Sequence, residues 1–325
     1  MAQGLGPALL LAAGALANLE HIQTTCHALR EEDCETEACV RAVRWAHQPR
    51  LGHGCKHMFF DVGANVGLHG RFLYEPGRFR RKKHGILRAT PYHVIFKEIW
   101  PGWPGDNSEA CVVAIEPNPA HRAWLTKQAV AYQKKGWRYV AVFAAAGAAK
   151  TRDATLTFYR QDRGANNDWG FSVKNTYGGN DTVKYEVPFV GLAGFLHHHV
   201  GHRASRGDQR VLMKMDIEGS EYVVIPQLLR TGASRLIDMM TLEVHPAFCP
   251  ISFPAAGTVP AKTIEPEECA KMGTSFAGEL ALNGTKVVYL DDESWGNLDP
   301  RIVPLPTGST KSKKNKKKKW YADGY

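Results

Sequence analysis

Six short apolar runs, separated by stretches of helical spacing, constrain this chain more than any other feature. They are Met58-Phe-Phe-Asp-Val62, Cys111-Val-Val-Ala-Ile115, Trp137 to Phe143, Val211-Leu-Met-Lys-Met215, Ile237 to Leu242 and Lys286-Val-Val-Tyr-Leu290. Each has the length of one buried strand. Gly67 to Tyr74 and Pro119 to Lys135 carry helical spacing, and a further helix is predicted from about Glu221. Leu156 to Tyr159 and Tyr185 to Val190 alternate like the strands of a hairpin. Apolar strands alternating with helices predict an α/β fold with a mostly parallel sheet covered by helices on both faces. Ligands of such sheets bind beyond the carboxyl ends of the strands. Polar residues stand at those ends here, namely Asp61, Glu116, Asp216, Glu243 and His245, and on successive strands of one sheet they converge on one crevice.

The composition agrees with a globular protein. The 325 residues are 44% apolar and 22% charged, which suffices for one large core or two small ones and excludes collagen-like and coiled-coil chains. The net charge of +9 is uneven. Residues 311–325 hold seven lysines and one aspartate, so most of the excess sits in the tail. The folded body is therefore not expected to bind specific nucleic acid. Residues 299–325 read as a basic disordered tail that touches acidic polymers or membrane surfaces. At the other end, Ala2 to Leu19 carry no charge but are short and Ala-rich for a membrane span. Residues 1–17 read instead as a signal peptide ending at Ala15-Leu-Ala17, although no Lys or Arg precedes the apolar stretch. That places the protein in the secretory pathway; the lysine run favours the alternative, a nuclear or cytosolic location. Cys26, Cys34, Cys39 and Cys55 are expected to staple a small segment over residues 18–56, with Cys111, Cys249 and Cys269 scattered. Asn180-Asp-Thr182 and Asn283-Gly-Thr285 are glycosylation sequons, which matter only in that compartment.

Asp61-Val-Gly-Ala-Asn-Val-Gly67 is the most informative segment. Gly63 and Gly67 allow a tight turn and a close approach of backbone to ligand. A dinucleotide-binding turn would carry glycine where Asp61 stands, and a carboxylate there repels a pyrophosphate. It suits a nucleoside with a cationic amino-acid end, such as S-adenosylmethionine, held directly or through water. Glu116 is placed to accept hydrogen bonds from both ribose hydroxyls. Asn65 belongs to the same loop, as a ligand contact or as a helix cap.

Five segments follow one another in order: Asp61-Val-Gly-Ala-Asn-Val-Gly67, Ala114-Ile-Glu-Pro-Asn118, Ala144-Ala-Ala-Gly147, Lys214-Met-Asp-Ile-Glu-Gly-Ser-Glu221 and Leu242-Glu-Val-His245. Together they resemble the FkbM-type S-adenosylmethionine-dependent methyltransferases over about residues 57–298. The resemblance implies a Rossmann-like class I methyltransferase sheet, S-adenosylmethionine as cofactor, and transfer of a methyl group to a hydroxyl oxygen; the acceptor expected here is a glycan or small metabolite. Asp61, Gly63, Asn65, Gly67, Glu116 and Asp216 are then the cofactor-binding candidates. Asp216 is also a positioning group for the reaction, and His245 or Glu218 the base, since a hydroxyl must lose its proton. Glu221 reads as a helix-starting carboxylate that complements the dipole. The alternatives are an RNA-ribose or protein methyltransferase and a non-catalytic nucleoside-binding protein. Two departures stand out. An insertion at about 77–110 includes Arg78-Phe-Arg-Arg-Lys-Lys83 and Trp100-Pro-Gly-Trp-Pro104, and reads as a surface loop or as a substrate-binding lid. The run His197-His-His199 stands where the family tends to have an acidic residue. No metal is expected there or elsewhere, because adjacent histidines cannot face one ion from a regular element.

Overall fold

The computed structural model describes residues 50–52, 54–79, 81–83, 86–88, 90–148, 155–161, 171–173, 182–201, 207–249, 251–253, 262–290 and 304–307. The residues read as signal peptide, Cys26, Cys34, Cys39, Asn180 and the lysine run lie outside them. Among the described residues no helix is long and apolar enough to cross a membrane.

The strands in chain order are β1 (His57–Val62), β2 (Arg81–Lys83), β3 (Ile86–Arg88), β4 (Ala110–Ile115), β5 (Arg138–Val142), β6 (Ala145–Gly147), β7 (Thr155–Gln161), β8 (Thr182–Gly191), β9 (Arg210–Met215), β10 (Met239–Leu242), β11 (Ile251–Phe253), β12 (Lys262–Ile264) and β13 (Lys286–Tyr289). The helices are α1 (Leu68–Tyr74), α2 (Pro91–Ile99), α3 (Arg122–Gln133), α4 (Leu192–Val200), α5 (Glu221–Arg230) and α6 (Pro266–Leu282). Six strands form the predicted parallel sheet, in the order β13-β10-β9-β1-β4-β5. The hairpin pair β7–β8 is antiparallel and gains a third strand, β6, from the Ala-rich segment.

β1 is central and buried along its whole length, which is why its sequence is a continuous apolar run rather than an alternation. Its side chains still alternate between faces. Met58, Phe60 and Val62 join one core with α4, α5 and α6, while Phe59 joins the other with α1, α2 and α3. Asp61 is two residues from Phe59 and shares its face, with consequences for its role below.

Two expectations are corrected. Trp100 of the insertion lies in neither a surface loop nor a lid but in the core, with Trp103 partly buried against it. α2 packs Tyr92, Phe96 and Trp100 into the core beneath the sheet, Trp100 is 2% exposed and stacks on Phe96, and the Trp103 indole N–H donates to the Leu73 carbonyl. Apolar area outweighs the Pro/Gly setting here, since a ring that size contributes most when fully buried. Cys55 does not staple an N-terminal segment to itself. It is bonded to Cys111 of β4, with Cα atoms 5.8 Å apart, because residue 55 enters β1 directly beside that strand. A second disulfide joins Cys249 to Cys269, so these cysteines are not scattered singletons. It ties the chain just past His245 to α6.

Candidate active site

The sheet grows from β1 through β4 to β5, then returns to add β9 on β1's other side. Neighbouring loops therefore part at β1, and a crevice opens at the strand ends. A cleft there is lined by Gly63, Asn65, Glu116, Phe158, Phe171, Asp216 and Glu218, among others.

The glycine loop is built for close approach. Gly63 has φ 79° and Gly67 has φ 71°. A Cβ on Gly63 would stand 1.7 Å from the Asp216 carbonyl oxygen, so only glycine lets the loop run against the end of β9. Asn65 is not the helix cap, a position that Gly67 occupies. It has φ 50°, and its backbone N–H donates to Glu116 Oε2 at 2.6 Å. Glu116 Oε1 accepts from the Asn118 N–H at 2.8 Å. Each oxygen keeps a second lone pair for a ligand hydroxyl. Burial pushes the Glu116 carboxyl up to about 7, against the two N–H donors and Lys214, which hold it down.

Asp61 does not line the cleft. It is fully buried and lies under the loop, with Oδ1 3.4 Å from His69 Nδ1 of α1. Strand alternation turns this carboxylate toward α1, behind the loop and outside the residues that line the cleft.

On the other side of β1, Lys214 is 4% exposed, and its ammonium donates to the Gly63 carbonyl at 2.8 Å and to Asp216 Oδ2 at 2.7 Å. One buried cation thus locks the glycine loop to Asp216. The sequence signal that marks Lys214 is an ammonium near the end of an otherwise apolar run, because a buried charge demands partners.

His245, beyond β10, faces the same cluster. Its backbone N–H and its Nδ1 lie 2.7 and 3.1 Å from Glu221 Oε1. Glu221 is fully buried, and its other oxygen accepts from the Gly219 N–H at 2.9 Å. Glu221 does start α5, as expected, but it also orients the histidine, which sequence reading missed. Glu218 holds φ 54°, a left-handed value rare outside glycine, and its carbonyl accepts from the Ser172 hydroxyl at 2.8 Å. Burial and the charges of Asp216, Glu221 and Glu243 push its carboxyl up to about 7, despite His245. Burial works against charge on His245, but the Glu221 and Glu243 carboxylates and the charge of Glu218 outweigh it and push the ring up to about 11. An imidazole already protonated at neutral pH is a poor base, so the carboxylates around it are better placed to accept a proton.

The histidine run does not join this site. His197, His198 and His199 lie on α4, where His197 meets the Thr231 carbonyl and His199 Nδ1 accepts from the Leu51 N–H.

A cleft at the switch point of a parallel sheet, with a glycine loop on one side and an acidic cluster on the other, lies where open α/β sheets bind their ligands. The family model described as the methyltransferase FkbM domain matches residues 61–256, more than half of the chain, and the chain belongs to that family. No curated protein and no solved structure gives a significant match.

Proposed function

We propose that this methyltransferase uses S-adenosylmethionine to methylate a hydroxyl group of a glycan or small metabolite in the secretory pathway. The observation that carries the reading is Glu116, pinned by two backbone N–H groups at the lip of the cleft, across the glycine loop from Asp216. The residues fit the cofactor on two counts: the Glu116 oxygens retain accepting capacity, and the Gly63 backbone leaves no side chain in the way. When bound, the cofactor would supply an electrophilic methyl group on a sulfonium sulfur. Glu116 takes the ribose hydroxyls, and Asn65 holds Glu116. Asp216, fixed by Lys214, positions the reacting groups. The acceptor's proton goes to the carboxylates gathered about His245. Two disulfides among the described residues support an oxidising compartment.

Calorimetry on the purified chain tests the cofactor. S-adenosylhomocysteine is expected to bind and NAD not to; tighter binding of NAD would sink the reading. Transfer of a labelled methyl group to a panel of hydroxylated acceptors then tests the substrate class, and transfer to amines alone would overturn it.

The raised Glu116 pKa adds a pH dependence. The ionised carboxylate accepts both ribose hydroxyls, and it forms above about 7. S-adenosylhomocysteine affinity should therefore be about tenfold weaker at pH 6 than at pH 8. Glu116→Gln should bind weakly at both pH values; a variant that keeps the wild-type pH profile would remove Glu116 from the ribose.

A further inference from the structure

Three carboxylates converge on one ring nitrogen. His245 Nε2 lies 3.5 Å from Asp216 Oδ1, 3.6 Å from Glu243 Oε1 and 3.8 Å from Glu218 Oε2. These distances exceed ordinary hydrogen bonds. They are close to the edge of a coordination shell, in which ligand atoms about 2.1 Å from a metal stand roughly 3.0–3.4 Å from each other. One ligand atom from each of Asp216, Glu218 and His245 falls within 4.8 Å of the others. The imidazole is set up as a metal-ligating histidine is. Its Nδ1 and its backbone N–H are both tied to the buried Glu221 carboxylate, which fixes the ring orientation and leaves Nε2 turned to the cluster. Lys214 is committed to Asp216 and to the Gly63 carbonyl, so the positive charge facing the other carboxylates is the Nε2 proton of His245, which a divalent cation bound there would displace to solvent.

We infer that Asp216, Glu218 and His245 form a binding site for one divalent cation. A set of carboxylates with one imidazole suits Mn²⁺, which takes both oxygen and nitrogen, better than Mg²⁺, which keeps to oxygen and water. The donors come from the ends of β9 and β10 and leave the cleft side open, so water or an acceptor hydroxyl completes the shell. The role for the cation rests on the methyltransferase reading above: it would hold and polarise the acceptor oxygen beside the methyl group. Glu243, outside the ligand trio, remains to take the proton.

The test is a Mn²⁺ titration of the full chain, stripped with chelator and free of cofactor, followed by electron paramagnetic resonance. One Mn²⁺ per chain is expected to bind saturably, with affinity at least tenfold weaker in Glu218→Gln and in Asp216→Asn. Glu218→Gln guards against misfolding, because it leaves the Lys214–Asp216 pair intact; melting curves check both variants. Absence of saturable binding, or equal affinity in wild type and both folded variants, would overturn the site. Calorimetry of S-adenosylhomocysteine in excess chelator separates the two ideas. Cofactor binding without Mn²⁺ binding rejects the cation site alone, whereas Mn²⁺ binding without cofactor binding supports the site and rejects the methyltransferase reading.

Discussion

Gly63→Ala is expected to abolish S-adenosylhomocysteine binding and to lower stability by about 3 kcal/mol or more. Two costs combine. A left-handed φ costs a residue with a Cβ about 1–2 kcal/mol. The larger cost is steric, because the new methyl would lie 1.7 Å from the Asp216 carbonyl oxygen. That oxygen belongs to backbone, so relief requires moving the glycine loop away from the end of β9. The movement would also pull the Gly63 carbonyl from the Lys214 ammonium. Gly136→Ala is the control. Gly136 has φ 75°, and a Cβ there meets nothing within 4 Å, so it isolates the conformational cost. Melting temperature and cofactor calorimetry on both variants decide the matter. Similar losses from the two substitutions would show that the contact with Asp216 is unimportant.

Asp216→Asn should lower the single-turnover rate at saturating cofactor at least about a hundredfold, the lower end of what a positioned acid–base group contributes. Cofactor affinity should change less, and added cofactor should not restore the rate. The amide oxygen can still accept from Lys214, but the charge opposite a buried ammonium is gone. A stability loss of about 1–3 kcal/mol should accompany the rate loss. If Asp216 only braced its turn, stability would fall while the folded fraction turned over normally, and that outcome would remove it from the reaction centre.

The sheet was legible because parallel strands, covered on both faces, must be apolar at nearly every position. The six apolar runs map onto β1, β4, β5, β9, β10 and β13. Glycines and carboxylates at strand ends were legible as neighbours too, since Gly63, Glu116 and Asp216 stand within a residue or two of a strand terminus and line one cleft. Relations between distant segments were not. Glu221 and His245 are 24 residues apart, and nothing local says that one orients the other. The partner of Cys55 depends on β4 lying beside β1. The insertion misled because Pro and Gly between tryptophans look like loop, whereas the deciding quantity was the apolar area available beneath the sheet. Asp61 is a different case. Its inward direction follows from the two-residue alternation with Phe59, and the motif drew attention away from it.

The position of β1 has a consequence for how the molecule assembles. His57 aligns with Ala110 on one edge and with Arg210 on the other, partners roughly fifty and a hundred and fifty residues downstream. During synthesis the first edge can pair long before the second exists. Until β9 is made, this central strand of the sheet keeps an open edge, a state prone to pairing with other chains. The glycine loop can turn early, but Lys214, which holds it, arrives with β9. Refolding should therefore be slow, as non-local parallel pairing requires, and recovery of ligand binding should lag behind recovery of helical signal, because the cleft closes only with the last central pairing.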